Sequence, residues 1–500
     1  MEPFAFSLLY EKKKEDIPRK IVPANAKQNG NRKKRTGEQM RLPELFLERM
    51  KELTGEEYGL WLDAYDKPPT QGIRINPEKI TPEIWEKICP WEIHRVLWNK
   101  NGYYCQPGSH PAKDAYYYAG LYYVQEPSAM APAAVLSVQP GERVLDLCAA
   151  PGGKSTQLGA DLLGRGFLVA NDISPSRGKA LLKNLEMAGL SNICVTAEPP
   201  QKLAQVFDGY FDKILVDGPC SGEGMFRKEP ELIKSWMNQG PEHYVPLQRE
   251  ILISAVKMLK PGGRLVYSTC TFSREENEEN VEWLLDQEPD LEMVPIPAFS
   301  GVKRGVNGQS VLRLYPHMVF GEGHFVALLE KKKTSPTDGL TVRETPKKRW
   351  ELSEKSEVLS LEKDSDFKDW ERLYSRPLDR ERMMVRQGQI YLLPEELNPA
   401  WKLRFLRTGL LLGTVKKNRF EPSQAMAMAL KKEDFAQCLC LDREDERVIR
   451  YLKGESIFLK EGESFFKGWV LVCVDGFPLG WAKAGGSGLK NKYYPGWRWQ

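Results

Sequence analysis

"RVLDLCAAPGGKS", residues 143–155, opens as an apolar strand, breaks into a turn of small residues and restarts as a helix. Val144, Leu145 and Leu147 form a run too short for a buried helix, and Pro151-Gly152-Gly153 punctuates it. Gly153-Lys154-Ser155 invites comparison with a phosphate-binding loop, but that motif needs a glycine where Cys148 stands. The alternative is a loop that lets a bulky adenosine-bearing ligand approach the backbone. Ala149, Ala150, Gly152 and Gly153 supply the access, and Pro151 stiffens it. The next strand, "GFLVANDIS", ends at Asp172, at an offset suited to an acid that binds both ribose hydroxyls. NAD and S-adenosylmethionine fit such a pairing equally.

Outward from this stretch, strand and helix alternate. "SPSRGKALLKNLEMAG" is a helix with Ser174 as N-cap, Pro175 at its first position and Gly189 as its stop. "NICVTA", "DKILVDG" and "GRLVYSTC" are further strands, separated by helical segments such as Pro246–Leu259. The alternation predicts an α/β fold with a doubly wound parallel sheet, whose ligands bind beyond the carboxyl ends of the strands. Asp217, Cys220 and Cys270 all fall there.

Two thiols at two strand ends select a chemistry. Hydride transfer has no use for them, whereas methyl transfer to carbon 5 of a pyrimidine does. That carbon is a poor nucleophile until a group adds at carbon 6, and a thiolate both adds readily and leaves again. Asp217 can hydrogen-bond the ring nitrogen and amino group as charge develops. A second cysteine can assist proton removal or release. The competing reading is that both thiols are small buried residues, since free cysteine is commonly interior.

"VLDLCAAPGGKSTQL", "VDGPCSGEGMFRK" and "LVYSTCTFSREENE" closely resemble the RNA (cytosine-5) methyltransferases of the Nop/Sun family. "YYVQEPSAMAP", "RLYPHMVFGEGHFVALL" and "KKNRFEPSQAMAMAL" resemble its bacterial RsmF-type branch, and the likeness spans residues 40–500. It implies a Rossmann-like catalytic domain that uses S-adenosylmethionine, held by Cys148, Ala149, Ala150, Pro151, Gly152, Gly153, Lys154, Asp172 and Asp217. It further implies that Cys270, in Thr269-Cys270, is the nucleophile and that Cys220, in Pro219-Cys220, promotes product release. Asp217 and Lys154 complete the catalytic set, Lys154 also approaching the target base. DNA cytosine methyltransferases instead use the Pro-Cys cysteine as nucleophile. Gly218 replaces the family's usual alanine, a change expected to be harmless. "VTAEPPQKL" has Pro199 where many members carry an aspartate for the adenine, so either Glu198 substitutes or that contact is missing.

The resemblance implies small-subunit (16S) ribosomal RNA as substrate, naked or in an assembling subunit. A transfer-RNA methyltransferase and a non-catalytic RNA-binding assembly factor are the alternatives. The expected organisation is a disordered basic extension (1–39), an N-terminal RNA-binding module (40–115), the catalytic domain (116–331), a linker (332–375) and a separate α+β, PUA-like RNA-binding module (376–500). Residues 1–39 carry ten Lys/Arg against five Asp/Glu, a balance of +5 that exceeds the chain's net charge of +4, so the remainder is slightly acidic. Met40 just precedes a helix pattern in which Leu42, Leu45, Phe46, Met50 and Leu53 share a face, and the extension is expected to be dispensable. Expected RNA contacts are Arg74 and Asn76, then Lys402, Arg404, Arg407, Lys416, Lys417 and Arg419 interleaved with Trp401, Phe405 and Phe420. Tyr116–Tyr118, Tyr122 and Tyr123 are read as core in preference to base-stacking, and His317 and His324 as structural. Nine scattered cysteines without a Cys-x-x-Cys, and five dispersed histidines, suggest no metal site and a reduced compartment. No signal-peptide pattern and no membrane-length apolar run is visible. A cytoplasmic monomer that acts on RNA, without DNA or membrane partners, is expected.

Overall fold

The computed structural model describes residues 42–297, 303–305, 310–333, 365–416, 419–485 and 488–500. The expectations for residues 1–39, for most of the linker and for Lys417 lie outside the described residues. Five parallel strands form the heart of the largest sheet. They are Arg143–Asp146, Phe167–Asn171, Ile193–Thr196, Phe211–Asp217 and Leu259–Thr269, in the spatial order third, second, first, fourth, fifth. Consecutive residues alternate between two apolar layers. Leu145, Val169, Ile214 and Leu265 face one, with Leu252 and Ala255 of the helix Tyr244–Met258. Val144, Leu168, Leu215 and Val266 face the other, with Leu158 of the helix Gly153–Asp161 and Leu181 of the helix Pro175–Met187. This period of two, with helices on both faces, is what a doubly wound sheet requires.

The sheet is not purely parallel. His324–Lys331 runs antiparallel beside Leu259–Thr269 and is followed outward by Leu312–Leu314. At the opposite edge, Phe405–Thr408 pairs antiparallel with Ile193–Thr196. The C-terminal segment thus shares a strand with the catalytic sheet. It reaches back to cover an otherwise open edge, which removes unpaired backbone groups from the rim.

Two other boundaries shift for similar reasons. The N-terminal sheet takes Tyr122–Val124 as its last strand, paired with Gly72–Ile75, so the expected break at residue 115 cuts through a hydrogen-bonded sheet. Residues Ser365–Glu371 of the expected linker form a helix that buries Phe367 and Trp370. In the first helix, Glu44–Thr54, the buried row is Phe46, Met50 and Thr54 at i, i+4, i+8, while Leu45 turns to solvent. Beyond the central sheet lie a four-stranded sheet (Met383–Arg386, Gln389–Leu392, Leu410–Lys416, Arg419–Pro422) and a five-stranded one. The five-stranded sheet shares one core with the N-terminal sheet: Ile73, Trp85, Tyr116 and Tyr122 pack with Leu439, Val448, Tyr451 and Val470.

Candidate active site

The strand order reverses between Arg143–Asp146 and Phe211–Asp217, and such a switch point opens a crevice at the carboxyl ends. The small-residue loop stands over it. Gly152 adopts φ +111°, a left-handed conformation that an L side chain resists, and a Cβ there would meet Leu181 Cδ1 at 3.2 Å. The helix Gly153–Asp161 starts at once. It places Ser155 to donate to Asp146 Oδ2 at 2.6 Å and Lys154 Nζ 2.7 Å from Asp217 Oδ2.

Asp217 is the electrostatic hub. Its Oδ1 accepts from Ser268 Oγ at 2.7 Å and lies 3.5 Å from His324 Nε2. Burial opposes ionisation of Asp217, but the Lys154 ammonium and then His324 outweigh it and hold the carboxyl well below the ordinary carboxylate range. Burial likewise works against the charge on Lys154, yet Asp217 raises it. His324 is lowered, first by burial and next by Lys154, so it is neutral at pH 7. The pair is thus a half-buried, ionised lysine–aspartate contact.

Cys220 Sγ and Cys270 Sγ are 3.4 Å apart, although fifty residues separate them in the chain. Two buried glutamates bring their loops together. Glu276 accepts from Ser221 N (3.0 Å) and Gln248 Nε2 (2.9 Å), while Gln248 also donates to Pro219 O (2.8 Å). Glu223 accepts from Thr271 Oγ1 (2.9 Å), Phe272 N (3.0 Å) and Trp236 Nε1 (2.9 Å). Gly224 lets the loops touch: its N–H donates to Cys270 O at 2.8 Å, the distance at which an added Cβ would strike that same oxygen. The contact with Cys270, and then burial, push the Cys220 thiol well up, so Cys220 keeps its proton at neutral pH.

On the cofactor side, three strand-end acids surround Cys148. Burial, followed by the charges of Asp146, Asp217 and Asp172, raises its thiol. Asp146 Oδ1 is buried without a hydrogen-bond partner. A cationic sulfonium and an amino-acid ammonium fit such an acidic crevice, and ribose hydroxyls fit its acceptors. Asp172 is 2% exposed. Its oxygens accept from Ser174 N (3.0 Å) and Ala150 N (3.3 Å), and Arg177 Nη1 lies 3.3 Å away, closing over the acid. Arg177 is itself largely exposed and can swing aside. Glu198 does not reach this crevice. It accepts from Lys202 Nζ and from Arg404 N, each at 2.6 Å, and so ties the added edge strand to the sheet.

The structure therefore gathers Lys154, Asp217, Cys220 and Cys270 at one place, and Cys148–Gly153 with Asp172 beside it. Ser268, Glu223 and Glu276 lie inside the quoted motifs and Gln248 outside them, but the roles of all four depend on partners that only the fold brings close. His324 stood out only as a histidine without a visible partner, and Asp217 is that partner. The expected RNA contacts fare differently. Arg74 is 3% exposed and clamps the N-terminal sheet to the cofactor helix, donating to Gln125, to Gly153 O (2.8 Å) and to Thr156 Oγ1 (2.6 Å). Asn76 donates to Ala188 O at 2.8 Å. Neither is placed to meet RNA. Trp401 packs on Phe167, Phe207 and Tyr210, Phe420 is fully buried, and Arg407 pairs with Glu186 at 2.6 Å. Lys416 and Arg419 both pair with Glu421. The expected stacking rings are largely packed into the core, whereas Lys402, Arg404, Lys416 and Arg419 remain exposed. The tyrosines are largely core as expected: Tyr116 donates to Asp475 and Tyr118 stacks on Trp499.

A sheet wound in this order and extended by the antiparallel strand His324–Lys331, with a strand-end acid and a small-residue loop at its switch point, is the architecture of the S-adenosylmethionine-dependent methyltransferases. The fold agrees with a methyltransferase homolog from Pyrococcus horikoshii (31% identity, TM-score 0.51, covering 58% of this chain and 96% of that one). It also agrees with NSun6 from the same organism (23% identity, TM-score 0.53, covering 58% and 99%). The chain belongs to the RsmF family: residues 133–330 match the model of the 16S rRNA methyltransferase RsmB/F, and residues 42–127 that of the RsmF N-terminal domain. Residues 368–430 match the first C-terminal domain of RsmF, and 438–499 its PUA domain. Ribosomal RNA small subunit methyltransferase F of Cronobacter sakazakii is 32% identical over 475 residues, covering 90% of this chain and 95% of that one. The Klebsiella pneumoniae protein of the same name is 32% identical over 477 residues, with the same coverage. S-adenosylmethionine is the cofactor of this family.

Proposed function

We propose that the chain methylates carbon 5 of a cytosine in small-subunit ribosomal RNA, with Cys270 as the nucleophile of a covalent adduct. The observation that carries the mechanism is the 3.4 Å approach of the two thiols beside an ionised Asp217. Cys270, as thiolate, forms a bond to carbon 6, and the ring electrons move toward carbon 5. Because Asp217 is ionised, it accepts from the cytosine amino group. The ammonium of Lys154, at 2.7 Å from Asp217, is then the donor available to the ring. S-adenosylmethionine supplies the methyl group on its sulfonium, and the crevice acids Asp146 and Asp172 hold its polar groups.

Once Cys270 has committed its electron pair, Cys220 loses the neighbour that holds its proton most firmly. It can then release its own proton to solvent and, as thiolate, take the carbon-5 proton, after which the carbon–sulfur bond breaks and Cys270 leaves as thiolate. The same reading makes the chain a cytoplasmic monomer that acts on RNA and not on DNA, which sedimentation and substrate competition test. Labelled S-adenosylmethionine with the RNA of a strain lacking the protein is the main experiment. Cys270→Ala should transfer no methyl yet still bind RNA. Cys220→Ala should accumulate a protein–RNA adduct that survives denaturing electrophoresis, and the double variant should not. An adduct with Cys270→Ala alone would reverse the roles. Label in transfer RNA, or none at all, would favour a different substrate or an assembly factor, and bisulfite mapping names the site.

A further inference from the structure

Away from the methyltransferase site, three thiols converge on the five-stranded sheet. Cys438 and Cys440 stand two residues apart on its edge strand Cys438–Leu441, so they share a face. The neighbouring strand Gly468–Val474 runs parallel and sets Cys473 opposite Cys440. Cys438 Sγ is 3.2 Å from Cys473 Sγ and 3.6 Å from Cys440 Sγ, and the three sulfurs lie within 4.8 Å of one another. All three cysteines are free of disulfides. Their exposure is graded: Cys473 is buried, Cys438 half-buried and Cys440 exposed.

We propose that Cys438, Cys440 and Cys473 form a binding site for a thiophilic closed-shell cation, Zn2+ foremost, with three sulfur ligands and a fourth position open to solvent. Metal–sulfur bonds of about 2.3 Å place the sulfurs of a tetrahedral or trigonal site roughly 3.8–4.0 Å apart. From 3.2 Å the Cys438–Cys473 pair must open by about 0.6–0.8 Å, and from 3.6 Å the Cys438–Cys440 pair by about 0.2–0.4 Å, which side-chain rotation supplies. A disulfide would use two of the sulfurs and strand the third. Packing does not account for the exposed Cys440, which gains little from burial. The exposed side leaves an entry path to the buried sulfur, and three protein ligands with one open position is the pattern of an accessible site, not a sealed structural one. Each cysteine binds as thiolate, so every S–H proton still carried by the three sulfurs is released to solvent as a metal–sulfur bond replaces it. The resulting charge of −1 is offset by Lys432, which acts electrostatically on both Cys438 and Cys440. The sequence spacing hid this set because Cys473 joins it only through strand pairing.

The full chain, reduced and stripped with a chelator, is dialysed against Zn2+ and separately titrated with Co2+, whose thiolate charge-transfer absorption reports sulfur ligands. About one equivalent of Zn2+ per chain is expected, with thiolate bands in the Co2+ spectrum. Cys440→Ser should weaken binding by more than about 100-fold, beyond the loss seen when only an outer-shell partner is removed. Its thermal unfolding in metal-free buffer should not change, because the side chain is exposed. The catalytic thiols are the rival ligands, so Cys220→Ala/Cys270→Ala must keep the metal. Loss of uptake in that double variant, with uptake kept in Cys440→Ser and in Cys473→Ala, overturns the proposal. So does a reduced chain that takes up no metal, or one that simply forms a Cys438–Cys473 disulfide in air.

Discussion

Asp172 stands at the crevice in a state its position in the sequence does not suggest. It ends its strand at the crevice, yet Arg177 and two backbone N–H groups occupy its oxygens. Asp172→Ala should weaken S-adenosylmethionine binding by about 1–3 kcal/mol, the scale of a lost charge-assisted hydrogen bond, as calorimetry would read it. Unchanged affinity would remove it from the ribose contact. Glu276 makes a different forecast. Burial raises its carboxyl to about 7, against the pull of Ser221 and Gln248. A carboxyl that binds its proton more tightly when folded loses stability as pH climbs from its unfolded value, about 4.5, to its folded value near 7. Glu276→Gln keeps the hydrogen-bonding shape without that titration. Urea unfolding from about pH 5 to pH 8 should show the variant gaining on the native chain by up to ~3 kcal/mol, with the gain complete above pH 7. A pH-independent difference would refute the assignment.

At the scale of elements, the edge strand Phe405–Thr408 matters most. Its backbone pairs with Ile193–Thr196, Arg407 meets Glu186, and the approaching segment lays Trp401 against Phe207 at 4.8 Å between ring centroids. These contacts fasten the chain from residue 401 onward to the catalytic sheet. Trp401→Ala should therefore destabilise the catalytic domain itself by about 2–4 kcal/mol, less than a fully buried tryptophan because the ring is only partly buried. Hydrogen exchange at Ile193–Thr196 would report the loosened edge. If only the C-terminal sheets lost protection, the strand would be an ornament on an independent domain.

In the whole molecule, the N-terminal sheet and the C-terminal five-stranded sheet support each other. The N-terminal sheet and the five-stranded sheet share their apolar core, and Arg443 crosses between them to Asp114 at 2.6 Å, with Asp114 4% exposed. Breaking such a pair leaves a buried charge alone. Arg443→Ala should cost about 3 kcal/mol, and proteolysis should then open the N-terminal sheet and the residues 438–499 together. Release of one without the other would show two independently stable bodies. Among the described residues no helix is long and apolar enough to cross a membrane.

Much was legible along the chain because its causes are local. Strand periodicity, the Ser174 cap, the small-residue loop and the acids at strand ends each act over a few residues, so the parallel core and the strand-end residues Asp172, Asp217, Cys220 and Cys270 could be read directly, while Lys154 entered only through the family resemblance. The family motifs added the roles. What stayed hidden depends on partners distant in sequence. Arg74 and Trp401 look, in one dimension, like an exposed cation and an exposed ring awaiting RNA. They become a buried clamp and a core contact only when Gly153, Thr156 and Phe207 arrive from elsewhere. His324 gained Asp217, Cys438 gained Cys473, and the central sheet gained its last strand from residues 405–408 in the same way. Composition and spacing specify which side chains are available. Burial and hydrogen bonding across long loops settle which of them remain free to act, because a charged or aromatic group that finds a partner in the core is no longer available to a ligand.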